Sequence, residues 1–220
     1  MKSVLKGFTH FFFYSPAAIL CYIFFRLFNR LTIMGYRDYK RHSSALICAN
    51  HISAFDSFAI GHIFFPKPVY FPAKEELFKN KIVARLLGIF NAFPVSRGYA
   101  DQGLLEQIAG NAKKHLVLIH PEGTRQKPGE LGQGKKAVGK VIYLGKTTVI
   151  PLYVRGTERI LPRGSLIPRL FRKTVINIGS PVGLDDLYEK DDSRETARLI
   201  VQRVMQSISE LKEETENTSK

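Results

Sequence analysis

The sequence predicts an α/β fold: a central mixed, mostly parallel sheet flanked by helices, with an N-terminal hydrophobic helical membrane anchor. Two observations carry this. From residue 44 onward, short β-type apolar runs alternate with segments of helical spacing, the pattern of strands covered by crossover helices. Ahead of them, Gly7 to Phe25 form 19 residues without Asp, Glu, Lys or Arg.

As one helix, that first stretch would be about 28 Å long, close to the thickness of a hydrocarbon core. Phe12, Phe13, Phe24 and Phe25 are its expected lipid contacts, and Lys2, Lys6, Arg26 and Arg30 bracket it as head-group partners. Ser15-Pro16 interrupts the helix pattern. Three forms therefore stay open: insertion into one leaflet, a kinked span, and a buried core helix. Cleavage as a secretory signal is disfavoured, because the apolar run continues past the small residues.

Expected strands are Ala45–Ala49, Val69–Phe71, Leu116–His120, Thr148–Val154 and Thr174–Ile178, each a short apolar or β-branched run. Expected helices cover Asp56–Phe65, Glu75–Leu87, Asp101–Lys114 and Gly134–Leu144. A capping start at Asp192 to Glu195 precedes the stripe Ala197, Ile200, Val204, Ile208 and Leu211, which predicts a final helix packed on the body. The organisation is then a membrane-inserting segment over 1–30, one domain over 31–212 and a frayed polar tail over 213–220.

At 220 residues and 45% apolar composition the chain can bury a real core, which excludes global disorder. Cys21 and Cys48 cannot build a disulfide framework. The net charge is +14; residues 1–184 hold 27 basic and 9 acidic side chains, and residues 185–220 hold six and ten. Such an excess calls for an anionic partner: nucleic acid, a membrane surface, a phosphorylated substrate or an acidic protein.

Four short stretches could carry chemistry. Asn50 to Asp56 follows a strand and opens a helix, with His51 five residues before Asp56. There a carboxylate can orient the imidazole and leave its other nitrogen as a general base, although His-x4-Asp alone is a weak pattern. Pro121-Glu122-Gly123-Thr124-Arg125 follows another strand, and its hydroxyl and guanidinium suit a phosphate as well as a solvated turn. Phe93 to Gly98 places Arg97 at a strand-like end, and Lys74 stands at an expected helix start, where an anion would relieve its conflict with the helix dipole. The remaining histidines lack a comparably placed carboxylate and are expected as surface or core residues.

Taken together, these stretches resemble the glycerolipid acyltransferase family, the PlsC-like 1-acyl-sn-glycerol-3-phosphate acyltransferases. Its blocks appear in order as Asn50–Asp56, Phe93–Arg97, Glu122–Arg125 and the proline-bearing strand Val149-Ile150-Pro151-Leu152. The likeness extends through Gly156-Thr157-Glu158 and Leu161-Pro162-Arg163-Gly164. One departure is His120, where the family usually has an aromatic or aliphatic residue before Pro-Glu-Gly.

The resemblance implies an O-acyltransferase of phospholipid biosynthesis, membrane-associated at the cytoplasmic face. His51 would be its base, Asp56 the orienting partner, and Lys74, Arg97 and Arg125 the cradle of the acceptor's phosphate. Asn50, Glu122, Gly123 and Thr124 would shape the substrate pocket. The acceptor is expected to be lysophosphatidic acid, giving phosphatidic acid, with glycerol 3-phosphate or another lyso-lipid as alternatives. Acyl-CoA or acyl carrier protein would serve as co-substrate, without a cofactor or a metal. Ser53 and Ser57 keep a serine hydrolase in play, but no G-x-S-x-G elbow occurs. A nucleic-acid-binding role is disfavoured, since no zinc-finger, RNP or basic-zipper signature is present. The loop from Arg155 to Lys173, with Arg159 and Arg163 among apolar residues, suits an anionic bilayer, against the alternative that its apolar residues pack inward.

Overall fold

The computed structural model describes residues 14–95 and 102–218. Seven strands form one sheet: β1 (Thr32–Gly35), β2 (Ala45–Ala49), β3 (Val69–Lys74), β4 (Ala92–Val95), β5 (Leu116–Ile119), β6 (Val149–Arg155) and β7 (Val175–Ile178). Their order is β1-β7-β6-β2-β5-β3-β4. Every neighbouring pair is parallel except β6–β7, so β2 to β6 all point their carboxyl ends at one edge.

The sheet is covered on both faces because alternate residues of each strand face opposite sides. Ala45, Ile47 and Ala49 of β2 join Phe25, Ile60, Ile63, Phe64, Ile150 and Leu152 in one core. Leu46 and Cys48 join Ile108, Ile119, Val138, Ile142, Ile200, Val204 and Ile208 in the other. Helix α1 (residues 14–22, continuing in wider turns through Ile23–Phe28) and α2 (Asp56–Ile63) lie on the first face. Helices α4 (Gln102–Ala112), α5 (Lys136–Gly145) and α8 (Arg194–Thr218) cover the second. Short helices α6 (Thr157–Ile160) and α7 (Asp185–Tyr188) follow β6 and β7.

All five expected strands are present, and β1 and β4, which run only four residues each, are additional. The expected helix over Glu75–Leu87 divides into a 3-10 turn, Glu75–Lys79, and α3 (Lys81–Ile89). The break has a local cause: the Asn80 side chain accepts from the backbone N–H groups of Ile82 and Val83 and starts a new helix. Lys74 therefore ends a strand and does not oppose an α-helix dipole. Pro151 sits in a central strand because its missing N–H falls past the β6–β7 ladder, which begins at Leu152, while its carbonyl accepts from Gly179. The polar tail expected to fray from residue 213 is helical through Thr218, with Thr215 buried and its hydroxyl bonded to the Leu211 carbonyl.

The N-terminal expectation changes most. No helix among the described residues is long and apolar enough to cross a membrane. One side of α1 is committed to the protein: Phe25, expected against lipid, is 1% exposed and stacks on His62 at 5.3 Å. Phe24 is half-buried, edge-on to Phe25 and Phe55. The opposite side exposes Ile19, Leu20, Tyr22, Leu27 and Phe28. Phe12 and Phe13 lie outside the described residues.

The loop after β6 faces outward. Leu166, Ile167, Leu170 and Phe171 are exposed, Arg163 likewise, and Arg159 pairs with Glu158 on the surface. It is stitched to α1: Phe171 N–H donates to the Phe28 carbonyl, Arg172 N–H to Asn29 Oδ1, and Phe28 and Phe171 meet edge to face.

Close packing of α5 on α8 requires a bare backbone at Gly139, where an added Cβ would lie 1.8 Å from the Ala197 carbonyl oxygen. Gly139→Leu should lower stability by at least about 1–3 kcal/mol in urea denaturation, the cost of forcing apart a packed contact. An unchanged midpoint would contradict this packing.

Candidate active site

The carboxyl edge of the parallel strands gathers the chemistry. His51 follows β2, the His120–Arg125 stretch follows β5, Lys74 ends β3, and Gly156-Thr157 follows β6, the edge at which open α/β sheets bind ligands. There β3 pairs with β5 only at Val69 and Tyr70, then continues beside β4 alone. Arg97, just past β4, lies outside the described residues.

At the centre, His51 Nδ1 lies 2.8 Å from Asp56 Oδ2. Asp56 is fully buried, and three further donors converge on it: Ile52 N–H at 2.7 Å and Ser53 N–H at 2.9 Å on Oδ2, and the Thr157 hydroxyl on Oδ1. Burial alone would raise the Asp56 pKa. The hydrogen bond from His51, with its partial positive charge, and the Ser53 N–H outweigh it and hold the carboxyl below its ordinary value. Asp56 is thus a carboxylate, and the proton between the two groups sits on Nδ1 of His51. The His51 side chain remains 21% exposed, so its ring is reachable while its partner is not.

The sequence suggests why the turn folds this way. Asp56 opens α2, and its side chain folds back over the preceding N–H groups of Ile52 and Ser53 instead of leaving them unpaired. Thr157 reaches Asp56 from across the sheet because Gly156 turns sharply at φ 96°, where a Cβ would lie 2.1 Å from the Lys173 carbonyl.

Two residues expected in the substrate pocket are buried in bracing contacts. The Asn50 amide donates to the Val154 carbonyl at 2.9 Å and accepts from Val154 N–H at 2.7 Å, pinning the end of β2 to β6. Glu122 is buried and accepts from His51 N–H at 2.8 Å and Gly132 N–H at 2.7 Å, one on each oxygen. Burial raises its pKa against these two donors. Gln126 N–H returns the link by donating to the His51 carbonyl at 2.7 Å. Gly123, Thr124 and Arg125 are exposed beside this brace, and Lys74 is exposed at the end of β3. They are free to meet a ligand.

The serines offered as nucleophiles are placed elsewhere. Ser53 is 1% exposed; its hydroxyl donates to the Leu161 carbonyl and accepts from Phe55 N–H. Ser57 lines an apolar cavity with Tyr14, Phe58, His62 and Phe90. Among the described residues, no cluster of His, Cys, Asp and Glu could hold a metal ion. The sequence pattern gives no role to two groups at this edge: Thr157, in Gly156-Thr157-Glu158, and Lys135, whose stem lies against Gly123 at the start of α5. The paired lysines Lys135-Lys136 before an amphipathic run were the available signal for the latter.

The acyltransferase family model matches residues 30–155, more than half of the chain. The chain belongs to the acyltransferase family. Among relatives, a 1-acyl-sn-glycerol-3-phosphate acyltransferase of Cocos nucifera is 30% identical over 166 residues, covering 74% of this chain and 53% of that protein. The enzyme of the same name from Bacillus subtilis is 27% identical over 172 residues, covering 77% and 81%. The chain thus spans about half the length of the plant relatives it matches. The crystal structure of the 1-acyl-sn-glycerophosphate acyltransferase PlsC from Thermotoga maritima superposes with a TM-score of 0.67 at 21% identity, covering 98% of this chain and 83% of that one. That likeness establishes the acyltransferase fold.

The depressed Asp56 pKa has a defined sign. Its ionisation stabilises the fold above the ordinary value of 3.8, and that stability is lost as pH falls through the lower folded value. Denaturation midpoints measured at pH 7 and pH 3 should fall further for the wild type than for Asp56→Asn. Thr157→Val, which removes a donor from the buried carboxylate, should cost about 1–3 kcal/mol at neutral pH.

Proposed function

We propose that this acyltransferase moves a fatty acyl group from an acyl thioester to the free hydroxyl of a lysophospholipid, 1-acyl-sn-glycerol-3-phosphate, giving phosphatidic acid. The observation that carries it is the reachable His51 backed by buried, ionised Asp56. Nε2 of His51 takes the hydroxyl proton as the alcohol oxygen attacks the thioester carbonyl. The Asp56 carboxylate stabilises the imidazolium that forms. The carbon–sulfur bond then breaks, and the thiolate leaves with that proton. The acceptor oxygen is itself the nucleophile, so no acyl-enzyme is required, in keeping with a Ser53 hydroxyl already engaged in the interior. Exposed Arg125 and Lys74, with Lys135 beside Gly123 and Arg97 beyond β4, supply the positive charge that a phosphomonoester calls for. The names of the relatives point to the same acceptor.

An acceptor with one acyl chain resides in a membrane, and the outward surface suits one. The outer side of α1 and the loop carrying Leu166, Ile167, Leu170 and Phe171 form one stitched apolar surface interspersed with Arg159, Arg163, Arg169 and Arg172. Apolar area of this kind enters the head-group boundary, and each nearby cation adds about 1 kcal/mol on an anionic leaflet. We place the enzyme at the cytoplasmic leaflet, where acyl-CoA and acyl carrier protein are both found.

His51→Ala should lower kcat at least ~10²-fold without unfolding the protein, read as phosphatidic acid by mass detection with both donors. Near-normal transfer by that variant would falsify the mechanism. Arg125→Ala should chiefly raise KM for the phosphorylated acceptor. An unchanged acceptor KM would move the phosphate site away from the β5 loop. Leu166→Asp with Ile167→Asp should reduce co-sedimentation with phosphatidylglycerol vesicles about tenfold or more; unaltered binding removes this loop from the membrane face.

A further inference from the structure

Beneath His51 lies a second imidazole that the reaction does not consume. His120 ends the β5 run, and because β2 and β5 pair in register at Cys48 and Ile119, its neighbour across the ladder is Ala49. The two histidine rings stack with centroids 4.0 Å apart and planes 11° from parallel. His120 is held in turn: its Nδ1 faces the carbonyls of Ala49 and Asn50, 3.0 Å from each. Only an Nδ1–H can satisfy two carbonyl oxygens, so the tautomer is set and Nε2 carries a lone pair. Nε2 is buried without a hydrogen-bond partner among the described residues. Protonating it would bury an unpartnered N–H together with a charge.

We propose that His120 is a positioning residue for acyl transfer: a stacked, backbone-anchored plate that fixes the plane of the His51 ring. This rests on the reading of His51 as the base. The Asp56 bond holds one edge of the His51 imidazole but leaves it free to tilt about that bond. A parallel ring against its face removes the tilt and aims Nε2 in one direction. The plate is tied through its Nδ1–H to the carbonyls of the two residues immediately before His51, so base and plate move as one body at the end of β2. A base must be held to within about 0.5 Å of its working geometry, and a misplacement of about 1 Å can cost 10²-fold in rate. His120 also stays uncharged while His51 cycles: burial first, then the charge of His51, pushes its pKa down to about 3 despite Asp56 and the two carbonyls. A second imidazolium therefore never opposes the one formed in the reaction.

The test compares two apolar replacements of similar bulk that both give up the Nδ1 hydrogen bonds and differ in having a ring. His120→Phe should keep kcat within about threefold of the wild type. His120→Leu should lower kcat by about tenfold or more, with KM for acceptor and donor each within about twofold. Thermal melting of the two variants should be alike. Equal kcat for the two variants, or a loss in His120→Leu confined to KM, overturns the proposal. His51→Ala, assayed alongside, separates the two readings: if it is inactive while the Phe and Leu variants are equal, only the plate fails. If it is active, the base assignment fails first.

Discussion

One buried carboxylate organises this molecule. Asp56 is charged in the interior, a state tolerated only when donors replace the lost water. Those donors come from three places: the turn after β2, the His51 ring and a threonine beyond β6. Each is fixed by a further constraint. Asn50 bonds β2 to Val154 of β6, Glu122 bonds the His51 backbone to the loop after β5, and Gly156 allows the chain to deliver Thr157. The site is therefore a set of strand ends bound into one piece, with the His51 ring partly exposed at its surface.

This arrangement assigns the polar residues two kinds of work. Asn50, Glu122, Ser53 and Thr157 turn their side chains to the backbone or to Asp56 and are largely out of contact with solvent. Thr124, Arg125 and Lys74 stand exposed at the rim. The same short motif, Glu122 to Arg125, contributes to both, half as brace and half as exposed rim. A four-residue block can be read as one functional unit in sequence while its members do unrelated physical work.

Much of the fold was legible because strands with both faces covered are continuous apolar runs; Ala45–Ala49 and Leu116–His120 announced themselves. β1 and β4 did not, being four-residue edge strands whose pairing is decided by their neighbours. An Asn cap inside a continuous helical pattern leaves the periodicity intact, so the sequence predicts one helix where a turn and a helix stand. The sequence points Phe25 at lipid because an uncharged aromatic run looks alike whether its partner is a bilayer or a core. Only the position of His62 and α2 decides between them. The His51–Asp56 pair could be anticipated from a five-residue spacing, but Thr157 and His120 could not be assigned roles. Their contacts cross between strands that are neighbours in space and distant in sequence.

The connection from β6 to β7 begins with the hydroxyl on Asp56 and, within the same excursion, presents Leu166, Ile167 and Phe171 to the exterior before returning past Asn29. Its length and shape are thus specified from both ends. A substitution or insertion that reshapes the outer part must still land Thr157 on the carboxylate, and one that alters the Gly156 turn also displaces the outer part. Change is therefore easiest on the outer side of α1, where it leaves the carboxylate's donors alone.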